Sequence, residues 1–132
     1  MKKEEQWLQV NNYLWIEDYC LEKQGVYKKH KDEWGADLYM IDDKFFIMVG
    51  QDKAGKEIIT LKQNIATNEK LQKEYPKMIV PGYYMNKQHW SSVYFDEKPT
   101  NELLKRMIDE AYEVLLSSFS KKRQMEIEDG II

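Results

Sequence analysis

The chain is 132 residues long, which is enough for one compact domain with a real core and too short for two ordinary domains. Hydrophobic residues make up 42% of the sequence and charged residues 33%, and the formal net charge of −3 excludes a uniformly basic surface. Only two of the 20 basic residues are arginines, Arg106 and Arg123, which argues against sequence-specific recognition of DNA bases.

A reducing compartment is the expected location of the protein. The single cysteine, Cys20, rules out an intramolecular disulfide. No apolar run approaches the roughly 18 residues that a membrane span needs, and the charged N-terminus lacks the apolar core of a signal peptide. We therefore expect a cytoplasmic protein without a membrane partner.

A helix is predicted near the start of the chain. Residues 4–23 contain neither glycine nor proline, and their apolar residues recur at helical spacing up to Gly25, a plausible C-cap. The apolar stripe includes Trp7, Leu8 and Trp15 and is wider than one buried face needs. The excess is either additional core or a contact between two chains, so both a monomer and a homodimer stay open.

The densest basic cluster lies at residues 28–31 and is followed at once by Asp32 and Glu33. This mixture of charges favours a solvated loop over a phosphate-binding site. His30 has no second histidine, cysteine or acid at ligand spacing, so we predict no metal site.

Three strand-like segments come next, and they cover residues 37–41, 44–50 and 57–62. In the middle segment, strict alternation predicts Phe45, Ile47 and Val49 on the core side of a sheet. The same alternation predicts Phe46 and Met48 on the opposite side, which is still apolar.

The second half of the chain begins with a short helix over residues 65–74, capped by Asn64. A short strand over 77–80 is closed by the turn dipeptide Pro81-Gly82. Residues 89–95 then alternate, so that one side of the predicted strand carries Trp90, Ser92 and Tyr94.

The clearest helix opens at Pro99-Thr100, because six small or apolar residues follow one face: Leu104, Met107, Ile108, Ala111, Leu115 and Ser118. Residues 120–132 lose this period, so we predict a single domain over 1–119 and a frayed tail over 120–132. Strands between terminal helices indicate an α+β fold: a mainly antiparallel sheet of about five strands with helices on one face.

One stretch also resembles a known family. Residues 81–93, Pro-Gly-Tyr-Tyr-Met-Asn-Lys-Gln-His-Trp-Ser-Ser-Val, together with the hairpin at 38–46 and the helix at 104–114, resemble the MmcQ/YjbR family. The likeness covers roughly residues 16–118, and the Met-Asn-Lys-x-His-Trp core is its specific part. It implies a twisted antiparallel sheet with two helices, similar to CyaY, the bacterial frataxin. It also implies DNA binding, a role that the family carries as an inference from fold comparison.

The candidate site is a polar and aromatic cluster at the mouth of the last strand, formed by Lys62, Tyr84, Asn86, Lys87, His89 and Trp90. In a binding role, Lys87 contacts an anion, Asn86 and His89 form hydrogen bonds, and an aromatic ring stacks on a planar group. In a structural role, Asn86 holds a tight turn in the left-handed conformation and His89 bonds a backbone carbonyl, while Trp90 covers the sheet. Both interpretations stay open.

No catalytic constellation is visible in the sequence. His89 lacks a nucleophile partner, no paired carboxylates flank a site, and no glycine-rich phosphate loop is present. We therefore predict a non-enzymatic protein without a cofactor.

Two functions remain. The first is weak, non-specific nucleic-acid binding, with sheet aromatics for stacking and five lysines against phosphates: Lys28, Lys29, Lys31, Lys62 and Lys87. The second is a protein- or small-ligand-binding adaptor that uses the outer, helix-free face of the sheet through Phe46, Met48, Trp90 and Tyr94. The charge balance favours the second function, and the family resemblance favours the first.

Overall fold

Six strands form one open sheet in the computed structural model, which describes residues 12–130. The strands are β1 (Tyr27–Lys31), β2 (Ala36–Ile41), β3 (Lys44–Gln51), β4 (Glu57–Lys62), β5 (Ile79–Pro81) and β6 (Trp90–Tyr94). They follow the order β1-β2-β3-β4-β6-β5, and every neighbouring pair is antiparallel. The α+β prediction is confirmed, with one strand more than expected.

Within the same residues, four α-helices accompany the sheet: α1 (Trp15–Leu21), α2 (Ile65–Glu74), α3 (Asn101–Ser117) and α4 (Lys121–Glu128). The predicted first helix is seen only in part, because residues 4–11, which include Trp7 and Leu8, lie outside the described residues. Past its end, Gly25 has a φ of 80°, a left-handed conformation that glycine adopts without a steric penalty.

The main core lies between the sheet and the helices. The predicted apolar face of α3 is buried, as Leu104, Ile108 and Ala111 show with 0% exposure. Thr100 caps this helix, since its hydroxyl accepts a hydrogen bond from the Leu103 amide at 3.1 Å. Burial of this face supplies most of the driving force that holds α3 on the sheet.

The basic cluster at residues 28–31 is a strand, so the prediction of a solvated loop is wrong. It forms β1, which pairs with β2 in the register Lys29↔Leu38. β1 lies at the sheet edge, where charged side chains, lysine above all, are tolerated because they stay in water. Pairing with an apolar neighbour outweighs the low strand propensity of lysine.

The alternation predicted for the middle strand fails at a β-bulge. The pairing of β2 with β3 shifts between Tyr39↔Ile47 and Met40↔Phe45, which leaves Phe46 as an extra residue. Phe46 is therefore 0% exposed in the main core, 5.9 Å from the Tyr112 ring between centroids. Phe45 turns to the helix-free side instead, so the sides predicted for these two phenylalanines are the reverse of those observed.

The C-terminal segment also differs from the predicted frayed tail, because α4 occupies residues 121–128. Ser120 caps it by accepting a hydrogen bond from the Arg123 amide at 3.1 Å. Ile127 is 0% exposed within the main core. The Arg123 guanidinium donates to both carboxylate oxygens of Asp42, at 3.0 and 2.7 Å, which ties α4 to the β2–β3 turn.

Candidate functional site

A second, smaller apolar cluster covers the side of the sheet that faces away from the helices. We call this side the outer face; its buried residues are Ala36, Leu38, Met40 and Met48, with Phe45 and Met85 packed against them. Met85 belongs to the loop over residues 82–89, between β5 and β6, so this loop folds back over the outer face.

Trp90 lies on the outer face, as the alternation of the last strand predicts. Its ring centroid is 5.4 Å from that of Phe45, and the Lys62 ammonium lies 5.5 Å from the ring centre. The indole is nevertheless only 8% exposed. Trp90 is therefore part of a closed floor and does not itself offer an open docking surface.

At its start, the 82–89 loop passes very close to the backbone of Trp90. The Gly82 amide donates to the Trp90 carbonyl at 2.8 Å, and a Cβ at position 82 would come within 2.5 Å of the Trp90 Cβ. Real Cβ atoms do not approach so closely, so glycine is required here by the contact itself. The Pro81-Gly82 pair thus fixes how the loop leaves the sheet.

Side chains from α2 and β6 hold the other end of the loop. The Asn68 amide donates to the Gln88 carbonyl at 2.8 Å, and its oxygen accepts from the Ser91 hydroxyl. The Gln72 side chain donates to the same hydroxyl at 3.0 Å, and the Gln63 backbone N–H donates to the His89 carbonyl at 2.8 Å. These bonds orient the loop, since Asn68 and Ser91 are both buried.

A tyrosine–aspartate network fixes the loop at its start. The hydroxyls of Tyr83 and Tyr94 lie 2.9 Å apart, and Tyr94 donates to Asp52 at 2.9 Å. Burial and these two hydrogen-bond partners raise the pKa of Tyr94. Partial burial alone would raise the pKa of Asp52, but hydrogen bonds from the 52–56 turn and from Tyr94 outweigh it and hold that pKa below its usual range.

The tip of the loop is exposed and polar. Asn86 accepts from the Gln88 amide through its side chain at 2.9 Å, so it does hold a turn. The left-handed residue of the loop is Tyr84, with a φ of 67°, and Asn86 is not left-handed. Neither the Lys87 ammonium nor the His89 imidazole has a hydrogen bond or ion pair with any residue in the range 12–130.

The predicted site residues are thus divided among three places. Lys62 and Trp90 pack against each other in the floor of the outer face. Asn86, Lys87 and His89 form the exposed tip of the loop. Tyr84 stands apart from both groups, as a wall of a cleft.

This cleft opens between the loop and the short 3-10 turn that joins β1 to β2, and we call it the Trp34–Tyr84 cleft. Its volume is about 320 Å³, and its lining residues are Glu33, Trp34, Ala36, Met48, Gly50, Gln51 and Tyr84. Trp34 is 49% exposed and Tyr84 is 63% exposed. Large aromatic side chains so exposed beside a concave surface are typical of binding sites.

Sequence reasoning missed Trp34 and Glu33. Glu33 ends the charged segment for which the sequence predicts a solvated loop, and Trp34 follows it directly. The available signal is the pair Trp34-Gly35: a tryptophan in a polar segment, followed by a glycine that has a φ of 57° and ends the turn. Only the pairing of β1 with β2 brings this turn beside the loop at Tyr84, some 50 residues further along the chain.

A second cleft, of about 300 Å³, lies between α2 and α3. Gln63 lines it and is fully buried, with its amide nitrogen donating to the Lys62 and Met107 carbonyls. The Gln63 side-chain oxygen is the buried side-chain polar atom left without a partner among the described residues. This cleft has no exposed aromatic wall, so we regard it as secondary to the first.

Across residues 12–130, no three His, Cys, Asp or Glu side chains are grouped to hold a metal ion. No helix in that part of the chain is both long and apolar enough to cross a bilayer.

Two solved structures resemble this fold. A crystal structure of a Deinococcus radiodurans protein with a DUF419 domain has a TM-score of 0.77 at 20% identity, covering 86% of this chain and 85% of that one. A crystal structure of a Pseudomonas syringae protein has a TM-score of 0.61 at 19% identity, covering 74% and 92%. At these identities the likeness concerns the fold alone, and the expected similarity to CyaY stays a prediction.

Sequence comparison identifies the family. The uncharacterised protein YbdF of Escherichia coli O157:H7 is 33% identical over 94 residues, which is 71% of this chain and 75% of YbdF. The uncharacterised protein YjbR of Escherichia coli K12 is 24% identical over 106 residues, 80% of this chain and 88% of YjbR. The YjbR family model matches residues 21–114. This chain therefore belongs to the YjbR family, as its Met-Asn-Lys-x-His-Trp core led us to expect.

Proposed function

We propose that this chain is a non-enzymatic, cytoplasmic binding protein that uses the Trp34–Tyr84 cleft to hold a planar or apolar group of a ligand. The helix-free face is still the functional surface, but the ligand binds in this cleft and not at Trp90. The observation that carries it is the pair of exposed aromatic rings that line one concave surface.

Three features of the cleft support this role. Ala36 and Met48 give it an apolar floor, and both are almost fully buried and therefore fixed in position. The volume of about 320 Å³ is at the small end of the range for ligand pockets, so one ring or one side chain is the expected occupant. The anchors at both ends of the 82–89 loop hold Tyr84 near its binding position, which reduces the entropy lost on binding.

The test uses indole as a planar probe, titrated against the protein by ligand-observed NMR. Trp34→Ala removes one wall and is expected to weaken binding by about tenfold, in line with the loss of an aromatic contact. Met125→Ala, at an exposed position on α4 away from the cleft, is the matched control and is expected to bind indole as the wild type does. Equal affinity of wild type and Trp34→Ala would exclude the cleft as the site.

Nucleic-acid binding is the second candidate, and the exposed loop tip favours it. Lys87 is exposed without an ion-pair partner in residues 12–130, and it lies three residues after the exposed Tyr84 in the same loop. Lys29 and Lys31 lie on the outer-face side of β1, whereas Lys28 pairs with Glu17 and is occupied. If single-stranded DNA binds through these lysines, its affinity should fall steeply as the salt concentration rises. A lack of binding at low salt would exclude this function.

A further inference from the structure

We infer that the Trp34–Tyr84 cleft selects the quaternary ammonium group of a small molecule. This inference rests on the proposed function and adds the charge and shape of the ligand. It follows from the placement of two exposed aromatic rings beside a single unpaired carboxylate.

The charge of the lining points to a cation. Glu33 is the charged residue among those that line the cleft. Its carboxylate has no hydrogen bond or ion pair with any other residue between 12 and 130. An unpaired carboxylate at the cleft attracts a cationic ligand and repels a phosphate, so the cleft itself is unsuited to the backbone of a nucleic acid.

The indole already attracts an ammonium group from outside the cleft. The Lys31 Nζ lies 4.1 Å from the Trp34 ring centre, a cation–π contact. Lys31 is not among the residues that line the cleft. The contact shows that the Trp34 ring is accessible to an ammonium group, and the Lys31 charge itself repels a second cation nearby.

The shape of the lining favours a quaternary ammonium over a primary one. A primary ammonium has three N–H donors to satisfy, whereas the lining offers side-chain carboxylate and amide oxygens only at Glu33 and Gln51, beside two rings and the alkyl and thioether groups of Ala36 and Met48. A trimethylammonium group has no donors, and its methyl groups pack against rings and sulfur without loss of hydrogen bonds. Aromatic walls beside a carboxylate are the usual means by which proteins hold such groups.

The experiment compares choline with 3,3-dimethyl-1-butanol, in which carbon replaces the charged nitrogen. Both are titrated by NMR against the full chain. Choline is expected to bind about tenfold more tightly than the neutral isostere, the size of a cation–π contribution in a partly desolvated site. Glu33→Gln, which keeps the side-chain shape, and Trp34→Leu are each expected to remove most of this preference.

Lys31→Gln is a variant that is expected to raise the affinity for choline, whereas the two variants above are expected to remove the preference for it. Removing the Lys31 charge takes away both the competing ammonium and its repulsion, so choline is expected to bind a few-fold more tightly. Lys53→Gln, an exposed lysine in the β3–β4 turn that does not line the cleft, is the matched control and is expected to leave the affinity unchanged.

The outcomes separate this inference from the proposed function. Equal binding of choline and its isostere, or an unchanged preference in Glu33→Gln, would overturn the inference while the cleft stays a site for apolar groups. Binding of indole without binding of choline would do the same. Absence of binding by indole and by choline would overturn both proposals together.

Discussion

At the scale of single residues, Asp52 has a pKa below its usual range, because hydrogen bonds from the 52–56 turn and from Tyr94 stabilise its carboxylate. Its carboxylate accepts hydrogen bonds from the Tyr94 hydroxyl and from the amides of Ala54 and Lys56, each at 2.9 Å. A carboxyl whose pKa is lower in the folded state than in the unfolded state stabilises the fold above its unfolded pKa, near 4. That contribution is lost as the pH falls through the folded pKa.

We therefore expect Asp52→Asn to destabilise the protein at pH 6 and to do so less at pH 3, because pH 3 lies below the unfolded pKa and protonation of the unfolded chain there removes part of the contribution. Urea unfolding at the two pH values measures the difference in free energy. Asp43→Asn is the matched control, because Asp43 is exposed and has no hydrogen bond or ion pair within the described part of the chain. A destabilisation of Asp52→Asn that is the same at both pH values would argue against a role for the carboxylate charge.

At the scale of elements, the short helix α4 is held on the core mainly by one buried side chain. An eight-residue helix is marginal in isolation, and α4 lacks a broad apolar face. It is held by the buried Ile127 and by the paired Arg123 and Asp42. A single, partly exposed salt bridge contributes about 1 kcal/mol or less, so Ile127 carries most of the docking energy.

Ile127→Ala is expected to lower the free energy of unfolding by about 2–4 kcal/mol, the usual cost of a cavity left by isoleucine. Met125→Ala, two residues away and 62% exposed, is expected to change it by less than about 0.5 kcal/mol. Urea denaturation of the two variants checks the difference. Similar and small effects for both would mean that residues 121–128 do not pack on the core.

The elements differ in how well the sequence predicts them. α3 is predictable, because its apolar residues repeat at helical spacing and Thr100 marks its start. β1 is not, since a lysine-rich segment becomes a strand only through pairing with β2. The bulge at Phe46 is also invisible in an alternating pattern, and it reverses the sides of Phe45 and Phe46.

At the scale of the whole molecule, the helices close one side of the sheet and the 82–89 loop closes part of the other. The sequence predicts a helix-free face and places Met48 and Trp90 on it, because side chains alternate along a strand, but the bulge moves Phe46 from that face into the main core. It does not predict the cleft, since Trp34 and Tyr84 meet only when β1 joins the sheet and the loop folds back. The cleft is thus a tertiary feature: local sequence marks Tyr84 and the pair Trp34-Gly35 separately, and only the fold brings them together.

The central claim is that ligands bind at the Trp34–Tyr84 cleft, and amide chemical-shift mapping during an indole titration tests it most directly. We expect the largest shifts at the Trp34 indole N–H and at the amides of residues 33–36, 48–51 and 84. Residues 63–75 and 103–110, which enclose the second cleft, are expected to shift little. Shifts confined to those residues, or spread evenly over the surface, would contradict the assignment of the site to the outer face.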